Sequence, residues 1–470
     1  MYFAMNQSFF NGRPLLFLLL LLLSQQPANG ENDTSRSLRA GVAVRVVNPT
    51  RPSVTIGHRV MKRFENIYAD LCVQAMVIED KTGQRIVWMG MDFCKLQHEV
   101  VDHIKEQIQD THGIHPHAVC INASHTHSAP PLTAKDVVQP DHFDEIYSQH
   151  VMSQAVAVVG DAIECLEPVR LRYAVDRCQV GINRRSMREG NIQMLPNPNG
   201  MVDHRVQIIS AESKTTGKLI GLTVKYACHP VTVVGLGIGS DYPGYMRQIV
   251  QQRHPGTTVV FLQGCGADVR IRVVNKDMTG WVKGTLESAK GFGRELADGV
   301  ERALAKETPA AVIVTGPIKA AYEQVQLPIE KQPKERYLQA ASSDNPSVAN
   351  WGRRFTDLID QGLPIPETIP YRVQAFQLGN GTQQLTIVAL DGEVFTRYGL
   401  HLDRLHANGP LITLGYSNGV VAYVPTARAL AEGGYEPTAF RYFLIPGPFP
   451  NDVEQRVLKA ATRVIQRARE

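Results

Sequence analysis

The 470 residues, 43% hydrophobic, 20% charged and 7% aromatic, exclude a disordered chain, a coiled coil and a collagen, and suffice for a large buried core. Lysine and arginine total 49 against 45 acidic residues, a net charge of +4 spread along the chain, so no basic field marks nucleic acid as a partner. The seven cysteines (Cys72, Cys94, Cys120, Cys165, Cys178, Cys228 and Cys265) are too few and scattered for a disulfide scaffold, and none forms a CxxC pair of the structural zinc type. An odd count leaves at least one thiol unpaired unless it bridges between chains.

In chain order, Arg13 precedes an apolar run from Leu15 to Leu23, followed by Ser24-Gln25-Gln26-Pro27 and Ala28-Asn29-Gly30. A charged start, an apolar stretch and a small-x-small cleavage site predict a secretory signal over residues 1–30. The run is about half the roughly 20 residues that a membrane span requires. The expected mature chain, residues 31–470, is secreted or periplasmic, has no transmembrane anchor, and leaves peripheral membrane contact open.

β-Branched runs then alternate with helical stretches, predicting an α/β fold: a mixed, mostly buried sheet layered with helices in a single large domain. Strands are expected at Ala40 to Val47, Cys72 to Ile78, Arg85 to Asp92, Ala118 to Ala123, Arg170 to Val175, Arg205 to Ser210, Leu219 to Ala227, Thr258 to Gln263, Ala311 to Thr315, Tyr371 to Leu378, Leu385 to Leu390 and Leu411 to Tyr416. Helices are expected at Leu96 to Thr111, Asp144 to Leu166, Tyr245 to Arg253, Gly280 to Glu307, Asn345 to Gln361, Tyr398 to Ala407 and Asp452 to Arg467. The least regular part, Glu323 to Thr368, reads as a surface insertion.

Metal-binding residue types gather just past strand candidates, where α/β sheets place their ligand crevices. His125 and His127 lie in Asn122-Ala-Ser-His-Thr-His-Ser-Ala-Pro130, at a strand exit with both side chains expected on one side. Ala129 and Pro130 exclude the H-x-H-x-D-H pattern. His229 follows another strand, and Asp241 nearby is expected to cap a helix or to orient a ligand histidine. Phe261-Leu-Gln-Gly-Cys-Gly-Ala-Asp-Val-Arg270 is a strand entering a Gly-rich turn whose amides could face an anion, without the Gly-Lys-Ser/Thr of a P-loop. Glu393 and Tyr423 follow two further strands. Two histidine sites, a glutamate and a tyrosine make an oxygen- and nitrogen-rich shell for one zinc ion with an open position for water.

In order along the chain, Ala40-Gly-Val-Ala, Ser124-His-Thr-His-Ser-Ala-Pro130, Gly181-Ile-Asn-Arg-Arg185, Cys228-His-Pro with Ser240-Asp, Gln263 to Val269, Gly392-Glu393 and Tyr423 to Glu436 resemble the neutral/alkaline, non-lysosomal ceramidase family. Those proteins are zinc amidases that cleave the fatty-acyl amide of ceramide. The resemblance implies His125, His229, Glu393 and Tyr423 as zinc ligands and His127, Arg184 and Tyr435 around the scissile carbonyl. It also implies a small-molecule lipid or N-acyl amide substrate.

Two departures stand out. Where the family carries a proposed nucleophilic serine, this chain has Arg270, which cannot form an acyl-enzyme; hydrolysis would then use zinc-activated water. Cys265 beside it reads as a packing residue rather than a substitute nucleophile. The chain also ends with a helix where larger ceramidases continue into a β-sandwich. A different N-acyl amide or an ester as substrate, with Arg270 meeting an anionic group, and a non-catalytic lipid- or glycan-binding relative are the alternatives.

Overall fold

The strands of the main sheet run in the order Thr258–Gln263, Leu219–Tyr226, Arg205–Ser213, Glu167–Arg177, Arg39–Val46, Cys72–Glu79, Arg85–Met91 and Val119–Ala123, and Val312–Val314 adds to Glu167–Arg177 as a ninth. These come from a computed structural model that describes residues 38–57, 62–307 and 310–470. The expected export segment, residues 1–30, lies outside the described residues. Cys72–Glu79 is buried at every position, which explains why its sequence, polar only at Gln74 and Glu79, does not alternate.

Neighbouring strands along this order are antiparallel except at the two ends, where Leu219–Tyr226 runs parallel to Thr258–Gln263 and Arg85–Met91 parallel to Val119–Ala123. A parallel pair needs a crossover, and each crossover here carries a helix, Asp241–Arg253 in the first and His98–His112 in the second. A third parallel pair, Leu385–Leu390 with Leu411–Leu414, spans the helix Thr396–Leu405 in a smaller sheet that also holds Ile318–Pro328 and Thr368–Leu378. The chain leaves these pairs through loops that carry the candidate site.

The main sheet curls until its end strands meet. Asn122 Nδ2 donates to Gln263 O at 3.2 Å, and Gln263 N donates to Asn122 Oδ1 at 2.7 Å. Gly90 permits the approach, since a Cβ there would lie 2.5 Å from the Phe261 carbonyl oxygen. Glu145–Glu164 covers the strands Arg39–Val46 and Cys72–Glu79, while Leu286–Leu304 and Asp241–Arg253 pack on each other and against Arg205–Ser213 and Thr258–Gln263 respectively. The C-terminal helix Val453–Arg469 buries Val453, Val457, Ala460, Ala461, Val464 and Ile465 against the smaller sheet. The described chain is one α/β domain, as expected, and no described helix is long and apolar enough to cross a membrane.

The structure departs from expectation in two places. The helix expected over Asn345 to Gln361 is present as Pro346–Asp360, but the rest of residues 323–368 is not irregular: it completes the strand Ile318–Pro328 and forms the helix Lys334–Ala341. Tyr337, Trp351 and Phe355 give the two helices their own aromatic core, and Trp351 Nε1 and Tyr337 Oη anchor them by donating to Ile445 O and Pro446 O. Three polar stretches also escape the pattern. Gly181–Arg188, Asn191–Asn197 and Val269–Ile271 form a three-stranded sheet in which burial of Arg184 and Arg185 is made possible by a buried carboxylate partner, which a hydropathy pattern does not register. All seven cysteines are free thiols and only Cys165 is exposed.

Candidate metal and active site

His125 and His127 reach one site by a turn rather than by strand alternation. The strand ends at Ala123; Ser124 N and His125 N then donate to Met91 O at 2.9 Å and Phe93 O at 2.9 Å, and His125 takes a left-handed φ of 67°. Such conformations in non-glycine residues cost about 1–3 kcal/mol and persist where surrounding bonds over-determine them. His229 leaves the end of Leu219–Tyr226 and pairs in parallel with Arg270. Glu393 and Tyr423 face each other in a two-residue parallel ladder, and Arg184 lies in the strand Gly181–Arg188. Gly433 and Gly434, with φ of 74° and 98°, make the turn that delivers Tyr435.

These seven residues converge. Glu393 Oε2 lies 3.3 Å from His125 Nε2 and 3.1 Å from His229 Nε2; His127 Nε2 is 3.1 Å from His125 Nε2, and the Tyr423 hydroxyl is 3.5 Å from His229 Nε2. His125, His229 and Glu393 are buried to within 3% of full exclusion from solvent.

The other ring nitrogens fix the protonation. His125 Nδ1 faces Cys94 O at 2.6 Å, His127 Nδ1 faces Gly57 O at 2.8 Å, and His229 Nδ1 faces Gly266 O and Val269 O at 3.0 and 2.9 Å. A nitrogen aimed at a carbonyl must carry the proton, so in each neutral ring Nε2 presents its lone pair inward. The His125 and His229 lone pairs and a Glu393 carboxylate oxygen therefore point at one another, with the His127 lone pair beside that of His125, an arrangement that a cation resolves.

Without a cation, burial disfavours the charged form of His125, but the Glu393 charge outweighs it and raises the group to about 10. Burial and the Arg184 charge take His229 down to about 4, and burial with the neighbouring imidazoles holds His127 well below its ordinary value. The donor set fits zinc.

On the far side of Tyr423, Arg184 Nη2 donates to the Tyr423 hydroxyl at 3.0 Å and Nε donates to Glu436 Oε1 at 3.0 Å. Arg185 Nη1 donates to the other Glu436 oxygen at 2.6 Å. The Tyr435 ring lies 5.7 Å from that of Tyr423 and 5.8 Å from the Arg184 guanidinium, and burial pushes its hydroxyl up, which keeps it a donor. Tyr435 is 37% exposed, so the buried centre meets solvent on this side. Two surface concavities of about 820 and 850 Å³ include none of the seven, although Gly433 and Pro437, either side of Tyr435, line the second.

Sequence reasoning missed Glu436 as the anchor of both arginines, although it sits in the stretch that carries the resemblance. It also missed Tyr416, whose ring packs 4.6 Å from that of His125 with its hydroxyl buried and without a hydrogen-bond partner among the described residues. Asp241 neither caps its helix nor touches His229. Ser240 occupies the cap position, and the Asp241 carboxylate accepts from the amides of Thr232 and Val233, bracing the loop that follows His229. In the Gly-rich turn, Gly264 N, Ala267 N and Val269 N are already spent, donating to Tyr226 O, Val394 O and Gly266 O. Burial pushes the Cys265 thiol up to about 12, which leaves no thiolate near neutral pH.

Solved structures share the α/β fold of this chain. Neutral ceramidase from Pseudomonas aeruginosa superposes with a TM-score of 0.71 at 17% identity, over 92% of this chain and 75% of that one. A ceramidase complexed with C2 gives 0.70 at 16% identity, over 91% and 75%. The chain has the neutral ceramidase fold, which bears out the sequence resemblance at the level of fold. No protein-family model and no curated protein matches the sequence.

Proposed function

We propose that this protein is an exported, zinc-dependent amidohydrolase that cleaves an N-acyl amide of ceramide type. The observation that carries the reading is the convergence of the His125 and His229 Nε2 lone pairs and the Glu393 carboxylate on one buried point, with His127 Nε2 3.1 Å from that of His125 and each Nδ1 held by a carbonyl. His125, His229, Glu393 and Tyr423 would hold the metal. Zinc bound there supplies a Lewis acid that activates water and polarises an amide carbonyl.

The side chains supply the rest. His127, neutral because burial lowers its affinity for protons, accepts a proton at Nε2 from the attacking water and returns it to the leaving amine nitrogen. Arg184 is held on Glu436, and Tyr435 retains its hydroxyl proton; both donate to the oxygen that gains charge as the carbonyl becomes tetrahedral. Arg270, at the place of the family serine, has no nucleophilic atom to form an acyl-enzyme.

The reading predicts release of dodecanoate from at least one of N-dodecanoylsphingosine and N-dodecanoylglycine, lost on chelation and restored by zinc. His127→Ala is expected to slow turnover by about 10²- to 10⁴-fold, the usual contribution of a positioned acid–base group. Zinc-loaded protein that releases fatty acid from no N-acyl amide would overturn it. Export rests on residues 1–30: the N-terminus of protein recovered outside the cytoplasm is expected at Glu31, and an intact Met1 on that protein would contradict the signal.

A further inference from the structure

Arg270, in the strand that pairs with the one carrying Arg184, has no carboxylate partner among the described residues. Val269 and Ile271 on either side are buried in the core while Arg270 is only half-buried, so its side chain leaves the opposite face of the strand. The register sets what shares that face. Arg270 lies directly across from Ile182 in the antiparallel ladder and beside His229 in a parallel bridge. Arg184, two residues beyond Ile182, emerges on the same side, and Arg184 is the residue that reaches Tyr423 and the candidate metal centre.

The neighbouring charges are already matched. Glu393 faces His125 and His229, and Glu436 holds both Arg184 and Arg185. Arg270 makes no ion pair and no side-chain hydrogen bond among the described residues, and its buried Nε is without a partner. What holds it is the Trp281 ring, 4.5 Å from the guanidinium carbon, and Trp281 is itself fixed by donating Nε1 to Met194 O at 2.9 Å. Stacking orients a guanidinium while leaving its N–H fork free for a planar anion. A cation beside a second cation, partly buried and with its donors unspent, is costly unless an anion arrives from outside the chain.

We propose that Arg270, stacked on Trp281, is a specificity-determining residue that binds an anionic group of the substrate, so that the amide processed here carries a carboxylate or an equivalent oxyanion close to its scissile bond. This rests on the hydrolase reading for the identity of the scissile bond, but the anion subsite is read from binding alone.

The test measures equilibrium binding of N-dodecanoylglycine and of its uncharged counterpart N-dodecanoylglycinamide to zinc-loaded His127→Ala protein, with Arg270 intact or replaced by Gln or Lys. The carboxylate is expected to bind at least about tenfold more tightly than the carboxamide when Arg270 is present, the scale of a charge-assisted bidentate pair. Arg270→Gln should bring the two ligands within about twofold, and Arg270→Lys, which keeps the charge but loses the fork, should fall between. A preference for the carboxylate that survives Arg270→Gln overturns the proposal, as does failure of the Arg270 protein to bind the carboxylate. An Arg270-dependent preference in a wild-type protein that hydrolyses neither ligand nor ceramide sustains the subsite and overturns the hydrolase reading instead.

Discussion

At the scale of single residues, the site depends on second partners as much as on the residues that face its centre. Each imidazole is aimed by a backbone carbonyl, and Arg184 is aimed by Glu436, which is 3% exposed and bridges two buried guanidinium groups. Removing one partner of a buried ion pair strands the other, at a cost of about 3–5 kcal/mol. Glu436→Gln is therefore expected to lower unfolding free energy by about 3 kcal/mol in urea denaturation and to depress kcat by loosening Arg184. A change below about 1 kcal/mol would show that Glu436 is not the anchor described. None of this was legible in the sequence, because Glu436 is separated from Arg184 by 252 positions and no local pattern joins them. Histidine, glutamate and tyrosine at strand exits were legible, since crevice-facing polar residues interrupt apolar runs.

At the scale of elements, apolar periodicity located the strands and helices of the two main layers within a few residues. Thr258–Gln263 and Leu385–Leu390 fall where expected. The pattern failed where burial is secured by other means. Gly181–Arg188 buries two of its three arginines, Arg184 and Arg185, and is stable because Glu436 pairs with both. The helix Lys334–Ala341, which packs on the expected helix Pro346–Asp360, sits in a segment whose charge and proline content disguise an aromatic core of three residues. Closure of the main sheet was equally hidden, because it depends on what a glycine allows. Gly90→Ala would place a methyl group 2.5 Å from the Phe261 carbonyl oxygen and must push apart the strands that carry the His125 loop. Overpacking of this kind costs about 1–3 kcal/mol. Thermal unfolding should show a lowered midpoint together with reduced metal affinity, whereas a fully stable Gly90→Ala protein would contradict the closed arrangement.

At the scale of the whole molecule, one fold brings together residues from 125 to 435 by repeating a single device. Three parallel strand pairs, each with a helix in its crossover, send their exits to one place, and the loops carrying His125, His229 and Glu393 meet there. The 17% identity to neutral ceramidase from Pseudomonas aeruginosa is compatible with strong retention of shape because such an architecture constrains packing more than it constrains residue names. Fold does not assign substrate.

The central claim is that the buried His125–His229–Glu393–Tyr423 cluster holds zinc, and elemental analysis of the purified protein tests it most directly. About one zinc per chain is expected for the wild type and less than about a tenth of that for correctly folded His229→Ala, since the remaining donors hold the ion far more weakly than the full set. Wild-type protein that remains free of metal after incubation with zinc, or His229→Ala protein with undiminished zinc, would contradict the account.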